Sequence, residues 1–79
     1  IAVSFTNTSA QSDTINSGVV RLVATQDCHV SFGLNPTATA GHMFMPAGSV
    51  EYFKISENLT KIAVIRSTSN GYLYITKMS

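Results

Sequence analysis

The chain is short of cysteine, and this excludes the usual covalent and metal supports of a small protein. Cys28 is the only cysteine among 79 residues, so no disulfide can form within the chain. Structural zinc sites use four ligands, and the spacing of Cys28, His29 and His42 matches no zinc pattern. A metal site built from the two histidines with Asp27 or Glu51 would require these side chains to lie close together, and nothing in the sequence indicates that they do. We therefore expect no metal and no cofactor.

Charged residues are also scarce. They make up 11% of the chain, against about 25% in ordinary soluble domains. Five basic residues against four acidic ones leave a formal net charge of +1. The basic residues are scattered singly and form no track for a nucleic-acid backbone, so we expect no direct nucleic-acid partner. Much of the surface must consist of hydroxyl, amide and apolar groups, which suits contact with other proteins and also occurs in β-rich extracellular modules.

The chain lacks long apolar runs and clustered catalytic groups as well. No run approaches the ~20 apolar residues of a membrane-spanning helix, so we expect no membrane partner. The carboxylates are isolated in the sequence, and Cys28 has the inward phase of a strand, where a buried thiol is a poor nucleophile. A nucleophile also needs a nearby base and an orienting group. We therefore expect no enzymatic activity and no catalytic residues.

The length of the chain bears on how it is stabilised. At 79 residues the chain forms one domain, and a core of this size supplies only about 3–5 kcal/mol without disulfides, a metal or partner chains. Since we expect no disulfide and no metal, a homo-oligomer or docking in many copies on a larger assembly is the favoured support. Many domains of this length fold alone, so a monomer stays open.

What the sequence does contain is a series of short segments that alternate with period two. This pattern predicts an all-β fold: a small antiparallel β-sandwich or barrel of about seven short strands with essentially no helix. Residues 17–79 would form the core as a single domain, and residues 1–16 an N-terminal edge strand and polar arm. Residues 18–25 are mostly apolar on both faces, which predicts a central strand. Residues 50–55 have no purely apolar face, which is typical of an edge or an interface.

Turn residues predict two hairpins. Residues 19–32 contain two strand-like segments around residues 26–27, and residues 61–78 contain two more around a polar block that ends in Asn70-Gly71. Asn-Gly is a strong hairpin signal because it supplies left-handed backbone. We expect each pair of segments to be neighbours in a sheet.

Three tyrosines are candidates for a protein interface. In the last strand Leu73 and Ile75 alternate with Tyr72 and Tyr74, so the tyrosines should lie on the face opposite the aliphatic residues. Tyr52 joins them as a candidate, because tyrosine is enriched at protein interfaces and has one apolar and one polar end that also suits sugar sites. The alternative is that this face packs against a second sheet or forms a cross-strand ladder.

A loop over residues 34–41 supplies three more candidate interface residues. Pro36 removes a backbone donor, so no strand can run through the segment. Loops on rigid β scaffolds often carry binding residues, and Asn35, Pro36 and Thr37 are the candidates here. The alternative is a plain connection.

Six short motifs follow one another along the chain. They are V-R-x-x-A-T at residues 20–25, C-x-V-x-x-G at 28–33, N-P-T-A-T at 35–39, M-F-M-P-A-G at 43–48, E-Y-F at 51–53 and K-x-A-V-I at 61–65. With these motifs the chain resembles, over roughly residues 18–78, a family of very short proteins encoded in tailed-phage and prophage genomes near virion structural genes.

The resemblance implies a structural virion protein of a tailed double-stranded DNA bacteriophage. The function that follows is a capsid decoration or cement protein that stabilises the major capsid lattice. Its partners would be the major capsid protein or other virion proteins, and it would reside in the virion after assembly in the host cytoplasm. The alternatives are a carbohydrate- or receptor-binding β-module and a small head-tail or tail accessory subunit. The resemblance assigns no role to any single residue.

Overall fold

The computed structural model describes residues 1–56 and 60–78, and these residues form eight strands and no helix. The strands are β1 (Ala2–Phe5), β2 (Ala10–Gln11), β3 (Gly18–Ala24), β4 (Cys28–Gly33), β5 (Met43–Met45), β6 (Val50–Ile55), β7 (Lys61–Arg66) and β8 (Gly71–Lys77). The predicted all-β class is confirmed. The strand beyond the expected seven is the two-residue β2, which lies in a segment that the sequence predicts to be a polar connection.

The strands form two four-stranded sheets. Sheet A has the order β1-β8-β3-β6, and sheet B has the order β2-β7-β4-β5. Every pairing within them is antiparallel. As predicted, the strand after Gly18 is central, since β3 lies between β8 and β6, and the strand after Ser49 is an edge strand.

The core lies between the sheets and takes side chains from both. Period-two alternation turns every second residue inwards, and in β8 this buries Leu73 and Ile75 while Tyr72 and Tyr74 remain exposed. The largest fully buried side chains are Phe5, Val20, Leu22 and Leu73 from sheet A, and Cys28, Val30, Met45, Ile62 and Val64 from sheet B. The core is therefore almost wholly aliphatic, with one phenylalanine among its largest side chains.

Both predicted hairpins are wrong. Strands β3 and β4 belong to different sheets, and so do β7 and β8, so each connection crosses from one sheet to the other. Each of these strands has a strongly apolar face, and placing the strands of a pair on opposite sides of the core buries both faces. The two connections contact each other, since the Ser67 backbone N–H donates to the Asp27 carbonyl at 3.0 Å.

Gly71 lies at the end of the connection from β7 to β8, and its role there differs from the one that the Asn-Gly pattern indicates. Positive φ occurs at Gly18 and Gly48 among the glycines of the described residues, and Gly71 is not one of them. A Cβ atom at Gly71 would lie 2.7 Å from Thr25 Oγ1 and 3.0 Å from a ring carbon of Phe5. Glycine is therefore required here for close approach and not for left-handed backbone.

The first sixteen residues contribute to both sheets. Strand β1 pairs with β8 at one edge of sheet A, and β2 pairs with β7 at one edge of sheet B. Ile15 forms a bridge with Thr60 through backbone hydrogen bonds of 2.6 and 3.1 Å, and its side chain is buried. Val3 and Phe5 are buried as well, so the amino-terminal segment supplies part of the core.

Candidate functional site

The outer face of sheet A gathers large side chains that lie far apart in the sequence. Residue 23 of β3 lies opposite Tyr74 of β8 and Val50 of β6, and residue 21 lies opposite Thr76 and Tyr52. We call this surface the tyrosine face and define it by seven outward-facing residues of β3, β6 and β8: Arg21, Val23, Val50, Tyr52, Lys54, Tyr72 and Tyr74.

The three tyrosines of this face are open to solvent. Tyr52 is 59% exposed, Tyr72 50% and Tyr74 47%, and Val50 beside them is 42% exposed. The rings of Tyr72 and Tyr74 lie 6.3 Å apart between centroids at an interplanar angle of 31°. The alternative in which this face packs against the second sheet is therefore wrong. The structure brings the three tyrosines to one outer surface. Alternation with Leu73 predicts the outward position of Tyr72 and Tyr74, whereas Tyr52 joins them through the pairing of β6 with β3.

The charge of the tyrosine face has one sign. Arg21 and Lys54 are its charged residues, and within the described part of the chain their side chains have no hydrogen bond or ion pair. Glu51 alternates with Tyr52 and so has the opposite phase of β6. Asp27 lies in the crossing between sheets, where its Oδ1 accepts from the Ala47 backbone N–H at 2.6 Å. The face is therefore cationic and aromatic.

The loop at residues 34–41 lies against the outer face of sheet B. The side-chain amide of Gln11 in β2 donates to Asn35 Oδ1 and to the Pro36 carbonyl, both at 2.8 Å. The Ala38 backbone N–H donates to Ser9 Oγ, also at 2.8 Å. These bonds fasten the loop along the β2 edge, and we call residues 34–41 the cover.

Burial indicates what the cover does. Pro36 is buried and Ala38 is 2% exposed, although the segment is a loop. Ala63 of β7 lies opposite Gln11 and Ser31 on the outward phase of sheet B, yet it is fully buried. The part of the outer face of sheet B around Ala63 is thus shielded by the chain itself, whereas Phe44 in the edge strand β5, on the same face, is 48% exposed.

The six candidate interface residues consequently fall into two separate groups. Tyr52, Tyr72 and Tyr74 lie together on sheet A, while Asn35, Pro36 and Thr37 belong to the cover over sheet B. Asn35 and Thr37 are exposed, but the buried Pro36 offers no surface for docking.

Sequence reasoning did not identify Arg21, Val50 and Lys54 as part of the face. Alternation alone does not show which face of β6 is outward, because neither face of residues 50–55 is purely apolar. Only the pairing of β3 with β6 and β8 shows that they adjoin the tyrosines.

The two histidines are neighbours, and their ring nitrogens are engaged with the protein. His42 Nδ1 accepts from the Thr39 backbone N–H at 3.0 Å, and His29 Nδ1 lies 3.2 Å from the His42 carbonyl oxygen. The His29 ring contacts Phe44, with centroids 5.4 Å apart. No group of three or more metal-ligating side chains occurs in residues 1–56 and 60–78. These contacts hold the carboxyl end of the cover and the residue that follows it against strand β4.

Cys28 occupies the inward position that its strand phase predicts. The residue is fully buried. Burial, with a smaller contribution from the Asp27 carboxylate, raises the pKa of the Cys28 thiol to about 11. The thiol is therefore neutral at physiological pH and packs as a small apolar group.

An apolar cleft of about 400 Å³ opens between the β5 edge of sheet B and the β6 edge of sheet A. Phe32 and Phe53 line it, with ring centroids 5.1 Å apart, and Met43 and Ile55 also contribute. Lys54, Ser56 and Thr60 are the polar residues of the lining, and the described residues that line the cleft include no carboxylate, histidine or cysteine.

No family model, curated protein or solved structure matches the chain. In the part of the chain that the structure describes, no helix has the length and apolar character needed to cross a membrane.

Proposed function

We propose that this chain is a non-enzymatic structural protein of a tailed-bacteriophage virion that decorates the capsid and docks through the tyrosine face. The observation that carries the proposal is the exposure of three tyrosines, between 47% and 59%, on one outer face of a sheet. Exposed apolar and aromatic patches on small proteins mark interaction sites. The resemblance of residues 18–78 to small virion-associated proteins supplies the class of partner.

Several features of the face favour a protein partner. Tyrosine contributes large contact area together with a polar hydroxyl group, and it is enriched among residues that dominate binding energy. Three adjacent antiparallel strands, β8, β3 and β6, present these side chains on a continuous sheet surface and not in a cavity. A broad surface of this kind suits another protein surface.

Decoration of a capsid would work by mass action. A protein that binds the assembled lattice, and not the free subunits, stabilises the lattice by about 2.7 kcal/mol per site at a hundredfold excess over Kd. The same contact would support the small domain, because burial of the tyrosine face adds apolar area that its own core lacks. Many copies would make the total effect large.

Co-sedimentation tests the proposal. The purified protein is mixed with mature capsids of the phage whose genome encodes it, and the pelleted fraction is measured against concentration. We expect saturable binding at a fixed ratio to the major capsid protein. The double variant Tyr52→Ala/Tyr74→Ala should lose most of this binding, whereas Thr37→Ala, an exposed change on the cover, should retain it. Absence of saturable binding by the unaltered protein would refute the proposal.

A carbohydrate- or receptor-binding module is the second candidate, because the adjacent rings of Tyr72 and Tyr74 could stack on a sugar. Titration of the isolated protein with oligosaccharides, followed by tyrosine fluorescence, separates this candidate from the first. We expect no saturable change. A saturable change that is lost in Tyr72→Ala would replace capsid decoration with sugar binding, and binding to purified tails instead of capsids would indicate a tail accessory subunit.

A further inference from the structure

Arg21 occupies an interior position on the tyrosine face. It lies in the central strand β3, between Thr76 of β8 and Tyr52 of β6 in the same row of the sheet. The residue is half-buried among these neighbours, and no partner for its guanidinium group is found in residues 1–56 and 60–78. A guanidinium group has five N–H donors. The middle of an aromatic surface therefore contains a cation whose donors are unused within the described chain.

The sign of the charge limits what can cover this face. Lys54 is two residues from Tyr52 on the same strand and adds a second cation, while no carboxylate shares the face among the described residues. If two copies of the chain met face to face, each pair of cations would approach another pair across an apolar contact. Like charges brought together away from water are strongly unfavourable. The face is thus poorly suited to its own copy.

We infer that the tyrosine face binds a protein surface in which a carboxylate is surrounded by apolar side chains, with Arg21 holding the carboxylate and the tyrosines packing around it. This inference rests on the docking role proposed for the face and specifies the chemistry of the partner. The planar fork of arginine matches a carboxylate through two parallel hydrogen bonds. The neighbouring Tyr52 ring would exclude water from this pair and so strengthen it.

Lys54 has a different role in the same contact. It is exposed at the edge strand and lies on the same face as Arg21. An exposed cation of this kind contributes mainly to the rate of encounter with an acidic partner and is screened by salt. Binding should therefore weaken as ionic strength rises, even though most of the contact is apolar.

Two short peptides test the inference directly. One acetylated, amidated peptide alternates glutamate with leucine, and the second has lysine in place of each glutamate. Each is titrated into the isotope-labelled full chain, and NMR signals of the backbone amides and of the Arg21 side-chain Nε–H group are followed. We expect the acidic peptide to bind at least about tenfold more tightly than the basic one. The shifts should be confined to β3, β6 and β8.

Variants assign the effect to Arg21. Arg21→Lys retains the charge but loses the fork and should weaken acidic-peptide binding severalfold, and Arg21→Gln should abolish the preference for the acidic peptide. Lys61→Gln, a change of equal charge on sheet B, is the matched control and should leave binding unchanged. The inference is overturned if the unaltered protein binds both peptides equally, binds neither, or shows its shifts on sheet B.

The capsid assay distinguishes failure of this inference from failure of the proposed function. If Arg21→Gln binds capsids as tightly as the unaltered protein does, the partner chemistry inferred here is wrong while docking on capsids stands. If the acidic peptide is preferred through Arg21 but capsids are not bound, the inference stands and the virion role is wrong.

Discussion

The two outer faces of the sandwich differ in their side chains and in whether a loop covers them. On sheet B, small residues such as Ala63 and Ser31 lie on the outward phase, and the cover is fastened there by Gln11 and Ser9. On sheet A, the corresponding positions hold tyrosine, valine and arginine, and nothing in the described chain lies over them. The chain covers the part of sheet B that carries small side chains, leaves Phe44 in the edge strand β5 48% exposed, and leaves the tyrosine face open.

This difference bears on function because covering a face has a cost in conformational entropy. Fixing the backbone of each loop residue costs about 1–2 kcal/mol, so ordering the cover must be offset by its hydrogen bonds and by the burial of Pro36 and Ala38. An exposed aromatic face gains nothing of this kind within the monomer. Its large side chains make sense when a partner supplies the burial.

The largest expected loss of stability comes from a substitution in the cover. Ala38→Asp would place a carboxylate where the native side chain is 2% exposed. Burial of an unpaired charge should cost about 3 kcal/mol or more, or detach the cover from sheet B. Urea unfolding measures the loss of stability, and amide hydrogen exchange at residue 38 detects detachment.

The adjacent residue supplies the control for this change. Thr37 is exposed, so Thr37→Asp adds the same charge one residue away and should change stability by no more than about 0.5 kcal/mol. If the two variants behaved alike, residues 34–41 would not form a cover, and the contrast between the faces would disappear.

The next largest expected effect on stability comes from ionisation of Cys28, which lies in the core between the two sheets. Burial raises the pKa of its thiol from 9.0 to about 11. Between these values the unfolded chain loses its thiol proton while the folded chain keeps it, so the free energy of unfolding falls as pH rises. This stability is fully present below pH 9, and about 2–3 kcal/mol of it is lost by pH 11.

Urea unfolding at a series of alkaline pH values measures this loss. The variant Cys28→Ala lacks the ionising group and should show a correspondingly flatter dependence, although its stability at neutral pH is lower because a buried sulfur has been removed. An identical slope in both proteins would show that Cys28 is not desolvated in the folded chain.

The sequence predicts local features of this fold well. Alternation in β8 correctly separates Leu73 and Ile75 from Tyr72 and Tyr74, because side-chain direction in a strand depends only on position along that strand. The central place of β3 and the edge place of β6 also follow from which of their faces are apolar. These features need no knowledge of neighbouring strands.

Features that depend on distant pairing could not be read in the same way. Turn residues such as Asn70-Gly71 mark where the chain reverses, but they do not determine whether the next strand joins the same sheet or the opposite one. Pro36 lies in a segment with every local sign of an open loop, and its burial depends on Gln11, 25 residues earlier. The place of Arg21 beside Tyr52 likewise depends on the pairing of β3 with β6.

A smaller effect is expected from the fastening of the cover. Gln11→Ala removes the two 2.8 Å hydrogen bonds to residues 35 and 36. We expect a loss of about 1–2 kcal/mol, because each hydrogen bond contributes about 0.5–1.5 kcal/mol net and exposure reduces its share. Gln26→Ala is the control, since Gln26 is exposed and its side chain has no hydrogen bond within the described residues. Equal losses in urea unfolding would mean that the bonds from Gln11 do not hold the cover.

The smallest effect on the isolated protein is expected on the tyrosine face, and it is the sharpest test of the contrast. Tyr52→Thr keeps a residue that favours strands and removes a ring that is 59% exposed. Thermal unfolding should therefore report a change of no more than about 1 kcal/mol, while capsid binding should fall by far more. If the monomer instead lost several kcal/mol, the ring would be stabilising its own sheet, and the open face would need no partner to account for it.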